Sequence, residues 1–402
     1  MDLSTRKELR KKLISVTPKE RKKGFKAENI SFSHDENEML ISSNEKINFI
    51  YKTIEKQNFS VAEKEILEKI KNSYDKILNN ESLLEDEMIL KQHENLEIER
   101  LDKKLYARYF IYRYKFNIFP KLKKIDKYPP VVQIEPTSIC NFRCIMCYQA
   151  DKSFSNKSEG FMGHMSLDTF KKAIDELEGN IEAITFASRG EPTLNKDFIK
   201  MLKYSSGKFL GLKLNTNASM LNERVINEIL SSDLQTIVFS IDEKDKEAYE
   251  KIRINGNFDK IIKNLELFNN IRNTKYKRSD KIVRISGVKI NEKQNIESMK
   301  KKWGDIADIV AFTNYTPWES SYENPVNDIT DPCSELWSRM FIWQDGKVNP
   351  CDYDYKSLLS KWNIKSKSIT DIWNSEEYNY LRYIHQNALR SKINPCNKCV
   401  NT

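Results

Sequence analysis

The apolar residues of this chain follow two patterns, helical spacing before Tyr128 and an alternation of strand and helix after it. Val61, Ile66, Leu67, Ile70, Tyr74, Ile77 and Leu78 recur at three- and four-residue intervals, which places them on one helix face and predicts a helix from about Ser60. A second helical run over 85–116 carries Leu90, Leu96, Ile98, Leu101, Leu105, Tyr109 and Tyr112. Residues 1–58 are polar and weakly periodic, with Pro18 and Gly24 interrupting a basic stretch, so a loosely ordered start is expected. The helices of this extension are expected to cap the domain that follows, with docking of a partner or carrier as the alternative. Tyr128-Pro129-Pro130 ends the helical pattern, because the residue before a proline is pushed out of the helical region.

Beyond it, strands are expected at 131–135, 181–187, 210–215, 236–241, 281–290 and 306–313. Helices are expected between them, at 166–178, 196–205, 222–230, 244–251, 258–271 and 292–303, and a polar loop at 151–163. Ser166 and Gly179 supply the cap and the stop of the first helix. Such alternation implies a parallel sheet with right-handed crossovers, whose reactive groups sit on the loops after the strands' C-terminal ends. Arg284 lies inside the fifth strand, where an unpaired charge is costly; it either points into the sheet's hollow toward a ligand or pairs with a carboxylate. Farther on, residues 339–350 read as a hairpin turning at Asp345-Gly346, followed by a helix over 369–389.

Composition narrows the class. The chain has 402 residues, enough for two or three domains, and its 39% hydrophobic and 31% charged content describes a soluble globular protein. No apolar run reaches the length of a bilayer, and Met1–Lys7 lacks the apolar centre of a signal peptide, so a cytosolic protein without membrane contact is expected. The net charge of +9 comes from lysines interleaved with acids throughout. The basic runs at 6–26 and 121–127 do not clearly show the one-faced charge and aromatic partners of a nucleic-acid surface, so no such ligand is expected.

The cysteines carry the chemistry. Cys140, Cys144 and Cys147 fall within eight residues directly after the first strand. A structural zinc ion takes four protein ligands, whereas an iron–sulfur cluster held by three cysteines keeps one iron open to another ligand. Zinc and ordinary buried thiols are the alternatives. Cys333, Cys351, Cys396 and Cys399 form a second set, with gaps of 17, 44 and 2 residues, suited to zinc or to a complete 4Fe-4S cluster.

The first set resembles the C-x3-C-x2-C signature of the radical S-adenosylmethionine (SAM) superfamily, with Met146 where an aromatic is usual. That resemblance implies a partial (β/α)6 barrel, a SAM-binding 4Fe-4S cluster, and SAM bound through its amino and carboxylate groups. Gly190, Glu191 and Pro192 match the family's Gly-Gly-Glu-Pro segment at the methionyl amine, although Arg189 replaces its first glycine. Met146, Asn217, Ser240 and Arg253 take the places of further SAM contacts, Arg253 near the carboxylate. The second set is similar to the twitch domain, a shortened SPASM domain with one auxiliary 4Fe-4S cluster; SPASM peptide maturases usually carry more cysteines. The domains expected are a helical extension at 1–128, the radical SAM core at 129–318 and the SPASM/twitch domain at 319–402.

Over about residues 129–402 the likeness extends to the dehydrogenase type that oxidises 2-deoxy-scyllo-inosamine in butirosin biosynthesis. It implies a radical SAM oxidoreductase acting on a sugar, cyclitol or related polyol, with the auxiliary cluster as electron acceptor and a reduced flavodoxin or ferredoxin-type donor. Tyr148, Tyr315, Trp318 and Tyr322 are candidates for the substrate pocket. Maturation of a ribosomally made peptide, and non-enzymatic zinc binding, are the other readings.

Overall fold

The structure is a computed structural model and describes residues 8–10, 12–14, 28–30, 36–54, 58–277 and 280–401. Its sheet contains β1 (Glu28–Ile30), β2 (Val131–Ile134), β3 (Ala183–Phe186), β4 (Gly211–Thr216), β5 (Thr236–Ser240), β6 (Ile282–Lys289), β7 (Ile309–Asn314), β8 (Arg339–Ile342), β9 (Lys347–Asn349) and β10 (Trp362–Asn363). Strands β2 to β7 pair in parallel in chain order, the six-stranded core expected from the sequence. Between them run helices Leu167–Leu177, Phe198–Ser205, Glu223–Ser231, Lys246–Ile252, Phe258–Thr274 and Ile296–Trp303.

Side chains alternate across this sheet because successive strand residues point to opposite faces. Ile134, Phe186, Leu214, Phe239 and Ile285 join Phe170, Leu202, Ile226, Phe268 and Trp303 of the helices in the main core. The opposite face is polar: Thr185, Lys213, Asn215, Ser240, Arg284 and Ser286 are half-buried, as side chains around a hollow interior are. Ser166 caps the first helix by accepting from Thr169 N–H, and Gly179 leaves it with φ +75°.

The extension closes the barrel from below. Helices Glu36–Thr53, Val61–Leu78, Gln92–Glu99 and Tyr106–Leu122 share a core in which Ile47, Tyr74, Phe110 and Ile118 meet Val131, Ala183 and Leu210 at the starts of the strands. Met39 and Leu96 pack on Ile282, Ile309 and Ala311. The Arg108 guanidinium forks onto Glu182 at 2.9 and 2.7 Å.

Four local expectations are corrected. The run at 85–116 is two helices, since Asp102 turns its side chain to Lys104 N–H and starts a new turn. The helix at 369–389 is likewise split into Ile369–Trp373 and Glu376–Gln386, with Ser375 capping the second. The polar loop holds two short turns, Lys152–Ser155 and Lys157–Glu159. Within the supposedly loose start, Glu36–Thr53 is helical with Ile47 and Ile50 buried; most of the rest of that stretch lies outside the described residues.

The C-terminal hairpin β8–β9 turns at Asp345-Gly346 as expected, with Gly346 at φ +85°. Strand β8 then pairs in parallel with β2, so the C-terminal domain continues the barrel sheet at its first strand. No described helix is long and apolar enough to cross a membrane.

Candidate functional site

The loop after β2 carries Cys140, Cys144 and Cys147 and is held from across the barrel mouth. Arg143 N–H donates to Ile254 O at 2.8 Å, and Ile145 N–H to Ile252 O at 3.0 Å. The Arg143 side chain folds back onto Cys140 O at 2.6 Å, and Arg10 Nε reaches Ile145 O at 2.7 Å. Each sulfur faces N–H donors. Phe142 N–H lies 3.4 Å from Cys140 Sγ and Gln149 N–H 3.5 Å from Cys147 Sγ. Asn217 Nδ2 approaches Cys140 Sγ, and Arg253 Nη1 approaches Cys144 Sγ, each at 3.9 Å.

Burial pushes the Cys140 thiol up to about 12, with Cys144 and Glu191 adding to it. It raises Cys144 as well and lifts Cys147 farther, where the neighbouring Cys144 and Cys140 contribute. Three neighbouring sulfurs that face N–H donors and the charges of Arg143 and Arg253 fit a thiolate-bound cluster, whose iron would supply the remaining positive charge that holds them ionised.

The Gly-Glu-Pro segment sits against this loop. A Cβ on Gly190 would lie 2.2 Å from Thr137 O and 2.5 Å from Ile139 O, so only glycine fits. Glu191 is buried, which raises its carboxyl pKa. Its Oε1 accepts from the Thr216 hydroxyl at 2.7 Å and from Thr193, while Oε2 takes Asn217 N–H at 2.7 Å. Pro192 opens the buried turn that follows. Asn217 thereby links Glu191 to the cysteine loop. Arg253 Nε pairs with buried Asp242 at 2.6 Å, Met146 packs in the main core, and Ser240 ends β5 beside Ser286 on the inner face.

Arg189, the departure from the family pattern, has its own function in the fold. Its guanidinium forks onto Glu135 with both contacts at 2.7 Å, donates to Tyr355 O at 2.7 Å and lies 4.2 Å over the Trp343 ring. Glu135 also accepts Gln344 N–H at 3.1 Å. The pair, at 3% and 0% exposure, clasps the barrel to the C-terminal domain.

That domain carries Cys333, Cys351, Cys396 and Cys399. Burial raises all four thiols, to about 12 for Cys333, and each feels at least one of the other cysteines or the Arg390 guanidinium beside them. Arg390, 1% exposed, spans the site by donating to Cys396 O at 3.0 Å, Cys399 O at 2.9 Å and Asp331 O at 3.1 Å. Cys333 N–H donates to His385 Nδ1 at 3.2 Å. Among the described residues no three or more cysteine, histidine or acidic side chains are gathered closely enough to hold a metal ion, so the set fits a fully ligated cluster by its donor chemistry, four thiols that sense one another.

Of the aromatic candidates, Tyr148 stacks on Trp318 and packs with Phe154 and Tyr355, and Tyr322 joins the same cluster. Tyr315 and Trp318 line a cavity of about 770 Å³ between the cap helix Tyr106–Leu122, the end of β7 and the C-terminal domain, with Arg339, Phe341 and Asp352 on its wall. Arg284 lies on the inner face without a carboxylate partner among the described residues. Sequence reasoning missed Glu135, Lys213, Arg339 and Arg390. Only Lys213 left a signal, its alternation with Leu212 and Leu214.

Residues 134–299 match the family model described as radical SAM superfamily, and residues 333–400 match SPASM, an iron–sulfur cluster-binding domain. The tungsten-containing aldehyde ferredoxin oxidoreductase cofactor-modifying protein of Pyrococcus furiosus is 24% identical over 315 residues, 65% of this chain and 86% of that protein. Mycofactocin maturase MftC of Mycolicibacterium smegmatis is 28% identical over 136 residues, 34% of this chain and only 33% of its own length. Among solved structures, BtrN in complex with AdoMet and 2-DOIA aligns over 69% of this chain and 95% of its own, at 16% identity and TM-score 0.48. Streptococcus suis SuiB bound to precursor peptide SuiA aligns over 88% and 82%, at 17% identity and TM-score 0.47.

Proposed function

Because this chain is a radical SAM enzyme with a C-terminal SPASM domain, we propose that it is an oxidoreductase that converts a hydroxyl of a sugar, cyclitol or related polyol to a carbonyl. The observation that carries this reading is the single set of four cysteines beyond the barrel, sufficient for one auxiliary cluster and no more. When bound, SAM and its cluster supply a 5′-deoxyadenosyl radical and the auxiliary cluster supplies an electron acceptor. The balance is simple: the carbinol carbon gives up a hydrogen atom, its hydroxyl gives up a proton, and one electron leaves.

The chain's own residues set the geometry. Cys140, Cys144 and Cys147 hold one cluster, and Cys333, Cys351, Cys396 and Cys399 the other. Glu191, fixed by Thr216 and Asn217, Arg253, fixed by Asp242, and the neighbouring Ser240 are placed to orient SAM. The cavity bounded by Tyr315, Trp318, Arg339 and Asp352 has the size of a small-ligand site and is the place offered for the substrate. A flavodoxin- or ferredoxin-type protein of the cytosol is the electron donor in this reading.

The Cys396→Ala/Cys399→Ala variant tests it. Iron in the reconstituted protein is expected to fall from about eight to about four per chain. 5′-Deoxyadenosine should still form from SAM, while mass spectrometry of a polyol panel should show no carbonyl product. Carbonyl formation equal to that of the unaltered enzyme would remove the oxidoreductase assignment, and modification of a precursor peptide instead would replace it with a maturase.

A further inference from the structure

On the inner face of the barrel Lys213 and Arg284 are cations without a hydrogen-bond or ion-pair partner among the described residues. Lys213 on β4 lies beside Thr236 of β5, and Thr236 lies beside Ile282 of β6, two residues before Arg284. Arg284 is level with Val238 and Asn215, one inward position above Lys213. Their strands are separated by β5 alone, about 10 Å from backbone to backbone, a span that two long side chains can close around one small group. Neither makes a hydrogen bond or ion pair with a described residue, and Arg284 Nε is shut off from solvent without an acceptor.

The nearby acids are occupied. Glu97 takes the Tyr109 hydroxyl and the Arg113 guanidinium on the barrel floor. Glu335 holds Arg339 at 2.9 Å. Burial first, and then the charge of Arg284, bring the Lys213 ammonium down to about 7. Glu97 attracts both Lys213 and Arg284 but is itself held by Arg113 and Tyr109, so the two cations share one committed carboxylate and are undercompensated until an anion arrives. The level of the site separates it from the SAM contacts: Lys213 lies four residues before Asn217, about 13 Å back along the strand from the cysteine loop.

We propose that Lys213 and Arg284 form an anion site in the barrel and that the substrate is a polyol bearing a phosphate or carboxylate group, anchored there with its carbinol carbon toward the cysteine loop. The polyol half rests on the oxidoreductase reading; the anion site stands without it. Guanidinium and ammonium groups together match the oxygens of either anion.

Calorimetric titration of anaerobic, reconstituted enzyme with inorganic phosphate and, separately, with malonate tests the site apart from turnover. The unaltered enzyme should bind at least one of them, phosphate marking a phosphoester substrate and malonate a carboxylate. In Lys213→Met/Arg284→Met the affinity should fall by about thirtyfold or more, the loss that follows removal of one side of a buried charge pair. Iron content should be unchanged, and the anion-free melting temperature of Lys213→Met should equal or exceed that of the unaltered enzyme, because mutual repulsion is relieved. No binding to the unaltered enzyme, equal binding to the double variant, or a lower melting temperature for the anion-free single variant would overturn the assignment. Failure of the oxidoreductase reading would appear only in the carbonyl assay.

Discussion

Replacing Cys140, Cys144 and Cys147 together by alanine is expected to abolish reductive SAM cleavage, taking 5′-deoxyadenosine formation below detection in an anaerobic assay with dithionite. The loop's main-chain bonds to Ile252 and Ile254 do not involve the thiols, so the variant should keep the fold while losing the ligands. Iron should fall by about half, from about eight to about four per chain, because the cysteines of the C-terminal domain are untouched. Cleavage surviving in this variant would refute the assignment of the site.

The second large effect is expected at Arg189. Arg189→Met removes a buried guanidinium that makes three donations, two to the Glu135 carboxylate and one to Tyr355 O, and leaves the Arg189 main-chain N–H on Glu135 Oε2. What remains is a fully buried carboxylate held only by main-chain N–H groups such as that of Gln344. Breaking one side of a buried ion pair costs about 3–5 kcal/mol, so the denaturant midpoint should drop by a corresponding amount. In Glu135→Gln/Arg189→Met much of that loss should return, since no unpaired charge is left; a double-mutant cycle measures the difference. A drop of less than about 1 kcal/mol in the single variant would show that the clasp does not hold the two domains together.

The legible part of this molecule was its local periodicity and its cysteines. Ser166 and Gly179 announced the start and stop of their helix because the signals lie within a few residues of what they determine. The break before Asp102 was not legible, since apolar spacing continues through it; the helix ends at Glu99, and Asp102 starts the next turn by accepting Lys104 N–H. Pairing of β8 with β2 joins residues about two hundred positions apart, and no local pattern encodes such a register. Arg189 read as a departure from a motif because its partners, Glu135 and Tyr355, lie far away in sequence. Arg390 gave no signal for a similar reason: one arginine in a short turn becomes a strut only when the loops of Asp331, Cys396 and Cys399 converge on it. Arg284 was ambiguous from sequence, and the strand register resolves it toward the interior.

The central claim is that the three-cysteine loop leaves one coordination position for SAM. Electron paramagnetic resonance of the reduced Cys396→Ala/Cys399→Ala variant isolates that cluster. Adding SAM should change the signal's shape and field positions, and Cys144→Ala introduced into the same background should abolish the change. Spectra identical with and without SAM would contradict the account.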